Sequence, residues 1–228
     1  VSGGADSVCL RHALVQVAPA WGLALHVAHI DHGLRPHSAA ESQFVASLAD
    51  AWGLPLHVTR LNGDSLRADP GGIEAAARTA RYTFLCRVAR EAAQSAGSSA
   101  SPSVPCVPCV PCVAVAHHAD DQAETVLLRL AQGSGLAGLG GLRPVSHAPV
   151  PSAAGDAPVR LVRPLLRITR EQILDYMARH GLTWIEDESN ADLHFARNRL
   201  RHVVLPALAA INPGIVRTLC RNAEVWAD

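Results

Sequence analysis

The stretch Ser2-Gly-Gly-Ala-Asp-Ser7 constrains this chain most, because an apolar helical pattern starts within it and only Val1 stands before it. Two adjacent glycines let backbone amides approach an anion with no side chain in the way. A helix beginning near Asp6 turns the positive end of its dipole toward the same spot. The stretch is therefore a candidate phosphate cradle. It lacks the lysine of a Walker loop, and all 20 basic residues of the chain are arginines. Taken alone it is equally a plain helix N-cap turn, and its neighbours must decide.

At 228 residues with 49% apolar content, the chain is long enough for one sizeable α/β domain, with room for a small helical appendage. The formal net charge of +0 does not announce a polyanion binder, although ten arginines face eight acids from Arg160 onward. No stretch is long and apolar enough to span a bilayer, and no basic start leads into an apolar signal region, so the expected setting is cytoplasmic, with no membrane partner. Of the six cysteines, three lie in VPCVPCVPC and Cys9, Cys86 and Cys220 sit in apolar helical patterns, which fits buried or free thiols rather than a disulfide frame. A phosphate loop of this kind normally follows a buried strand, so an upstream segment supplying a strand of roughly five residues before Val1 is expected.

In order, the pattern predicts a helix from Asp6 to Ala20 ended near Gly22, a strand over LALHVAHI, and a helix from Ser38, whose spacing to Glu41 is that of a capping box, to about Trp52. A second strand, PLHVTRL, precedes the longest helix, GIEAAARTARYTFLCRVAREAAQ. SAGSSASPSVPCVPCVPC is a low-complexity loop. VAVAH is a short buried strand feeding a helix that opens at HADDQAET, and the run from GSGLAGLGGL to Pro158 is a long loop. RLVRPLL reads as a strand, Thr169 and Gln172 open a further helix closed by Gly181, and the tail from Phe195 is helical with interruptions at Pro206 and Pro213. Strands separated by helices imply a mostly parallel sheet with helices on both faces, which binds ligands at the carboxyl ends of its strands. SGGADS, HIDHGLRPHS and HHADDQAET all fall at such ends.

A nucleotide's terminal phosphates at SGGADS would want a divalent cation held by nearby carboxylates. Asp6, Asp120 and Asp121 are the candidates, since magnesium takes a few carboxylates plus phosphate oxygens. Acids in a helix's first turn are also favoured by the dipole alone. His117 and His118 are candidates to donate to a phosphate or shuttle a proton, and are equally read as strand-end histidines bonded to backbone. Arg78 and Arg81 share a helix face, either as a solvated pair or as a phosphate clamp.

SGGADS, HIDHGLRPHSAAE, EAAARTARY, AHHADDQAETVLLRLAQGSGLAGLGGL, RPLL and EDESNADLHFARNRLRHVVLPAL resemble, in order, the signatures of the tRNA(Ile)-lysidine synthetase family, within the N-type ATP pyrophosphatases of the PP-loop class. The resemblance implies an adenine nucleotide α-hydrolase-like fold, with a catalytic domain over residues 1–194, its first strand truncated, and C-terminal helices over 195–228 packing on the same domain. It implies ATP and Mg2+ as cofactors, with free L-lysine and CAU-anticodon tRNA(Ile) as partners, and permits a homodimer. ATP would adenylate the carbonyl oxygen on carbon 2 of the wobble cytidine, and the lysine ε-amine would displace AMP. Ser2, Gly3, Gly4, Asp6 and Ser7 would grip the pyrophosphate, His29 and Asp31 would line the nucleoside side, and Asp6 and Asp121 would hold the metal. Asp6, His117, Asp121 and Arg78 would act in catalysis. Arg81, Asp120, Glu124, Arg197, Arg199 and Arg201 would meet the substrates. The cysteine tract is foreign to that pattern. A tRNA-thiolating enzyme with the same loop and a non-catalytic ATP-binding module are the alternative readings.

Overall fold

The computed structural model describes residues 2–31, 38–61, 63, 70–98, 110–150, 156–186 and 194–227. Helix α1 (Ala5–Trp21) starts where the glycines end and stops at Gly22, whose φ of +61° suits a residue without Cβ. Strand β1 (Val27–Asp31) follows, then α2 (Ser38–Ala51), β2 (Leu56–Arg60) and the 26-residue α3 (Ile73–Ser98). Strand β3 (Cys112–Ala114) leads to α4 (Ala119–Ala131), the short α5 (Leu136–Leu139), β4 (Val145–His147) and β5 (Arg160–Val162). The chain closes with α6 (Arg170–Arg179), α7 (Ala196–Arg199), a π-helical turn over Leu200–Val204, α8 (Leu205–Ile211) and α9 (Ile215–Ala227).

The chain divides into two compact units. One comprises Val1–Gly3, Arg11–Ala114 and Ser146–Val162, the other Gly4–Leu10, Val115–Val145 and Arg163–Asp228. In the first, β1 and β2 pair in parallel with Val27 opposite Leu56 and Asp31 opposite Arg60. Val27, Val45 and Ala49 form its core with Leu54 and Leu56 packed on them, so α2 seals one face of the pair. Strand β5 pairs in parallel with β3, Val113 opposite Leu161, and takes β4 on its other side. Helix α3 lies against both β1 and β3. Among the described residues the expected parallel pairing is present, divided between a two-stranded and a three-stranded sheet.

In the second unit α9 packs along α4 and against α5, and the helical run from Ala196 also rests on α4. Burial follows the helical period: Ala119, Ala123 and Val126 of α4, Ile173 and Met177 of α6, and Ala223 of α9 are all inside. Helix α6 begins as its capping box predicts. Thr169 accepts from the Gln172 amide at 3.3 Å, and the Gln172 side chain accepts from the Thr169 amide at 3.0 Å.

Three expectations need correction. The run after Gly133 is not a plain loop, because it contains α5 and β4. Gln122 and Arg129 of α4 hold its carbonyls at Gly138, Gly140, Gly141 and Leu142, so contacts distant in sequence order it. The tract from Ser95 is helical up to Ser98. Pro206 does not interrupt the tail: it sits in the first turn of α8, directly after the π-helical turn, where proline's missing N–H leaves no ordinary i→i−4 bond to lose. The break comes at Asn212–Gly214. Cys9, Cys86, Cys112 and Cys220 are free thiols, and Cys106 and Cys109 lie outside the described residues.

Candidate active site

The second unit gathers charged side chains that are far apart in sequence. His118 ends the segment after β3 in an extended conformation and caps α4; its amide donates to Asp121 Oδ2 at 3.0 Å. The Ala119 amide donates to the Ile168 carbonyl at 2.9 Å, which fastens the start of α4 to the segment leading into α6. The His118 ring, 2% exposed, is ringed by carboxylates: Nδ1 is 3.4 Å from Asp120 Oδ2, and Nε2 is 3.5 Å from Asp121 Oδ2 and 3.8 Å from Asp6 Oδ2. Three acids from the first turns of α1 and α4 thus meet on one imidazole.

A second layer supplies positive charge. Arg170, the first residue of α6, donates its backbone N–H to Asp120 Oδ2 at 2.8 Å and its guanidinium to Asp6 Oδ1. Asp121 and Glu124, three residues apart, share a face of α4, and Arg197 and Arg201, four apart, share a face of the tail helix. Arg201 donates through Nε to Glu124 Oε1 at 2.6 Å and through Nη2 to Asp121 Oδ1 at 3.4 Å. Arg197 reaches Thr125 Oγ1 at 3.0 Å and lies 3.9 Å from Glu124 Oε2.

These contacts set the protonation states. Burial alone would push His118 down, but Asp120, Asp121 and Asp6 outweigh it and hold the ring above the ordinary histidine value. Asp120 is opposed by its own burial yet held below the carboxylate range by His118 and the Arg170 amide. Burial pushes Glu124 above that range against the pull of Arg201. The Cys9 and Cys220 thiols flank the cluster; burial first and nearby acids second push each to about 11, so neither is a thiolate at neutral pH.

Of the residues singled out in the sequence, Asp6, Asp120, Asp121, Glu124, Arg197 and Arg201 come together in this unit. His117 stands one residue outside, its Nδ1 accepting from Arg163 Nε at 3.3 Å. Arg199 is exposed. In the first unit, the Gly3 amide donates to Glu41 Oε1 at 3.1 Å, buried His29 meets Ser42 Oγ at 2.9 Å, and Asp31 lies 3.5 Å from Arg60. Arg78 and Arg81 are exposed on α3, with the Arg78 guanidinium 5.0 Å from the Tyr82 ring centre. Ser2 is exposed, and Gly4 accepts the Val8 amide at 3.1 Å, closing the first turn of α1 behind Ser7. Sequence reasoning missed Arg170 and Glu41 as site residues and named His117, not His118, among the catalytic residues. The Thr169 capping box was the available signal for Arg170, since it puts that residue at the head of a helix.

Asp6 and Asp121 fit magnesium by donor chemistry: they offer hard oxygens, and the ion asks for one or two carboxylates with phosphate oxygens and water completing its shell. Among the described residues no three His, Cys, Asp or Glu side chains form a finished metal cage. The carboxylates are shared with guanidinium groups and an imidazole instead.

The sequence profile of the PP-loop domain matches residues 1–97 and 105–208. Among curated proteins, the tRNA(Ile)-lysidine synthase of Solibacter usitatus is 42% identical over 226 residues, covering 98% of this chain and 43% of that protein. The tRNA(Ile)-lysidine synthase of Gloeobacter violaceus is 41% identical over 229 residues, covering 99% of this chain and 61% of that protein. The chain thus spans about half the length of these relatives. Among solved structures, the U34-tRNA thiolase NcsA from Methanococcus maripaludis with its [4Fe-4S] cluster superposes with a TM-score of 0.69 at 16% identity, covering 100% of this chain and 70% of that one. That likeness bears on the fold, which is the PP-loop adenine nucleotide α-hydrolase fold. With the SGGADS loop opening α1 and the profile matched over nearly its whole length, the chain belongs to the PP-loop domain family.

Proposed function

We propose that this chain carries the ATP-dependent ligation of free L-lysine to carbon 2 of the wobble cytidine of CAU-anticodon tRNA(Ile). The observation that carries the reading is the cluster of Asp6, His118, Asp120, Asp121, Glu124, Arg170 and Arg201 in a chain about 40% identical to tRNA(Ile)-lysidine synthases.

In the first step the cytidine carbonyl oxygen bonds to the α-phosphorus and the bond to pyrophosphate breaks. The backbone donors of Ser2–Ser7 and the His118 ring stabilise the departing charge. Magnesium, when bound by Asp6 and Asp121, neutralises phosphate charge. In the second step the lysine ε-nitrogen bonds to carbon 2 and AMP leaves with the former carbonyl oxygen. The ε-ammonium gives up a proton before it attacks. We assign that proton to Glu124, which burial raises above its ordinary value against the pull of Arg201. Acids and guanidinium groups side by side, Asp121 and Glu124 with Arg197 and Arg201, offer both charges that a free amino acid needs. Arg199, exposed on the same stretch, is assigned to tRNA phosphate.

The test supplies the protein with ATP, magnesium, isotopic lysine and CAU-anticodon tRNA(Ile). Lysine is expected to enter the tRNA with one pyrophosphate released per event, and Asp6→Asn and Asp121→Asn are each expected to lower this by at least 100-fold while circular dichroism is unchanged. Sulfur instead of lysine in the tRNA would move the reading to thiolation, and ATP bound without pyrophosphate release would leave a binding module.

A further inference from the structure

Arg170 has a role that none of the motifs announces. It bridges two helix starts: its main chain holds Asp120 of α4 and its guanidinium holds Asp6 of α1, whose Asp6 side chain is 30% exposed while that of Arg170 is 40% exposed. The pair is therefore open to solvent on one side and able to exchange partners. Its location is specific, since Asp6 belongs to SGGADS itself, two residues past Gly4, and the chain has no lysine to serve as the cation of a phosphate loop. The other guanidinium groups of the cluster are committed elsewhere: Arg201 and Arg197 face Glu124, Asp121 and Thr125 from the tail helix.

We propose that Arg170 is the phosphate-contacting cation of the SGGADS cradle. On arrival of a pyrophosphate group the Asp6–Arg170 ion pair is exchanged: Asp6 turns toward the metal that accompanies the phosphates, and Arg170 turns toward the phosphate oxygens. A planar guanidinium matches two oxygens of a phosphate at once, which a point charge does not. In the absence of ligand the same pair keeps Asp6 in place and keeps its charge partnered, so neither group is left uncompensated. The chemical class recognised is the pyrophosphate end of a nucleoside triphosphate. The inference rests on the proposed reading of Ser2–Ser7 as a phosphate site.

The experiment is calorimetric titration of the whole chain with magnesium pyrophosphate and, separately, with AMP, which lacks the β- and γ-phosphates. Arg170→Gln is expected to raise the pyrophosphate dissociation constant at least tenfold, leave that for AMP within twofold, and lower turnover in parallel. Arg170→Lys is expected to recover part of the affinity. Arg179→Gln, which removes the same charge from the exposed last turn of α6, is expected to change neither. Pyrophosphate affinity of Arg170→Gln within threefold of the parent would overturn the assignment while leaving the cradle intact. Failure of the parent itself to bind magnesium pyrophosphate would instead overturn the cradle reading, and this assignment with it. Should Arg170→Gln not fold, Arg170→Lys carries the test: affinity equal to the parent overturns the fork-like contact.

Discussion

Arg11 is 5% exposed, yet no hydrogen bond reaches any of its three guanidinium nitrogens among the described residues. Its guanidinium lies 4.4 Å from the centre of the Trp52 ring, and burial lowers its pKa to about 10, so it remains a cation in apolar surroundings. A buried charge without a hydrogen-bonding partner is a net cost that stacking on one ring offsets only in part. Arg11→Leu is expected to stabilise the protein by about 1–3 kcal/mol, read as a rise in thermal midpoint of about 2–4 °C per kcal/mol; an unchanged or lower midpoint would show that the cation is better solvated than its burial implies. Nothing in the sequence separates Arg11 from a surface arginine, because its environment is made by Trp52 of a different segment. The acids were legible for the opposite reason: Asp6, Asp120 and Asp121 stand in first helical turns, with Glu124 one turn on, in stretches that motifs mark locally. Arg170 was not legible, because its partner Asp6 is 164 residues away. Arg197, Arg199 and Arg201 read as one basic stripe until helical rotation brings Arg201 and the half-exposed Arg197 within reach of Glu124, with Arg199 exposed between them.

At the level of elements, caps and glycines placed the helix starts and stops well, and failures came where order is imposed from a distance. The segment after Gly133 is rich in glycine and proline and reads as formless, yet Gln122, 3% exposed, accepts from the Leu142 amide at 2.6 Å and donates back to the Leu142 carbonyl at 3.2 Å. Gly141 makes this possible, with φ of +65° and a position where a Cβ would stand 2.6 Å from Gln122 Oε1. Gly141→Ala is expected to destabilise by about 2–4 kcal/mol, combining backbone strain with a damaged buried hydrogen bond. Gly133→Ala also has a positive φ, +74°, but open space around its Cβ, and is expected to cost about 1 kcal/mol. Equal losses in chemical denaturation would show that Gln122 yields. Pro206 is the other lesson: proline predicts a break where an ordinary helical turn precedes it, whereas here it follows a π-helical turn that rests on α4.

For the whole molecule, a formal net charge of +0 means that global repulsion has little hold on its pH dependence, which falls to a few buried groups. His118 is raised above the ordinary histidine value of 6.5, so the folded state binds that proton more tightly than the unfolded one. Its contribution is complete below about 6.5 and lost as pH rises through the folded value. Asp120, lowered from 3.8, contributes throughout the neutral range and loses that contribution as pH falls through its folded value. Glu124 is raised from 4.5, so its ionisation opposes folding above that value. In metal-free buffer without nucleotide, His118→Gln is therefore expected to lower the thermal midpoint more at pH 6 than at pH 9. An equal loss at both would mean that the ring acts by shape alone. The class of fold was legible at this scale because alternating strands and helices need little context, whereas the division of the strands between two sheets depends on which edges meet and left no trace in the pattern.

On the proposed reading of Ser2–Ser7 as a phosphate cradle, the hydrogen bond from the Gly3 amide to Glu41 makes α2 an internal competitor for it. A carboxylate tethered to the same chain is present at a fixed local concentration, so an anion arriving at the Gly3 amide must evict a resident. The apparent dissociation constant is then the intrinsic one divided by the fraction of molecules in which Glu41 has let go, so the affinity falls in proportion to that fraction. Such a resident excludes weak, singly charged anions and yields to the multiply charged end of a nucleotide. Releasing it, as Glu41→Ala would, is expected to tighten magnesium pyrophosphate several-fold and to let chloride or acetate inhibit where they did not before.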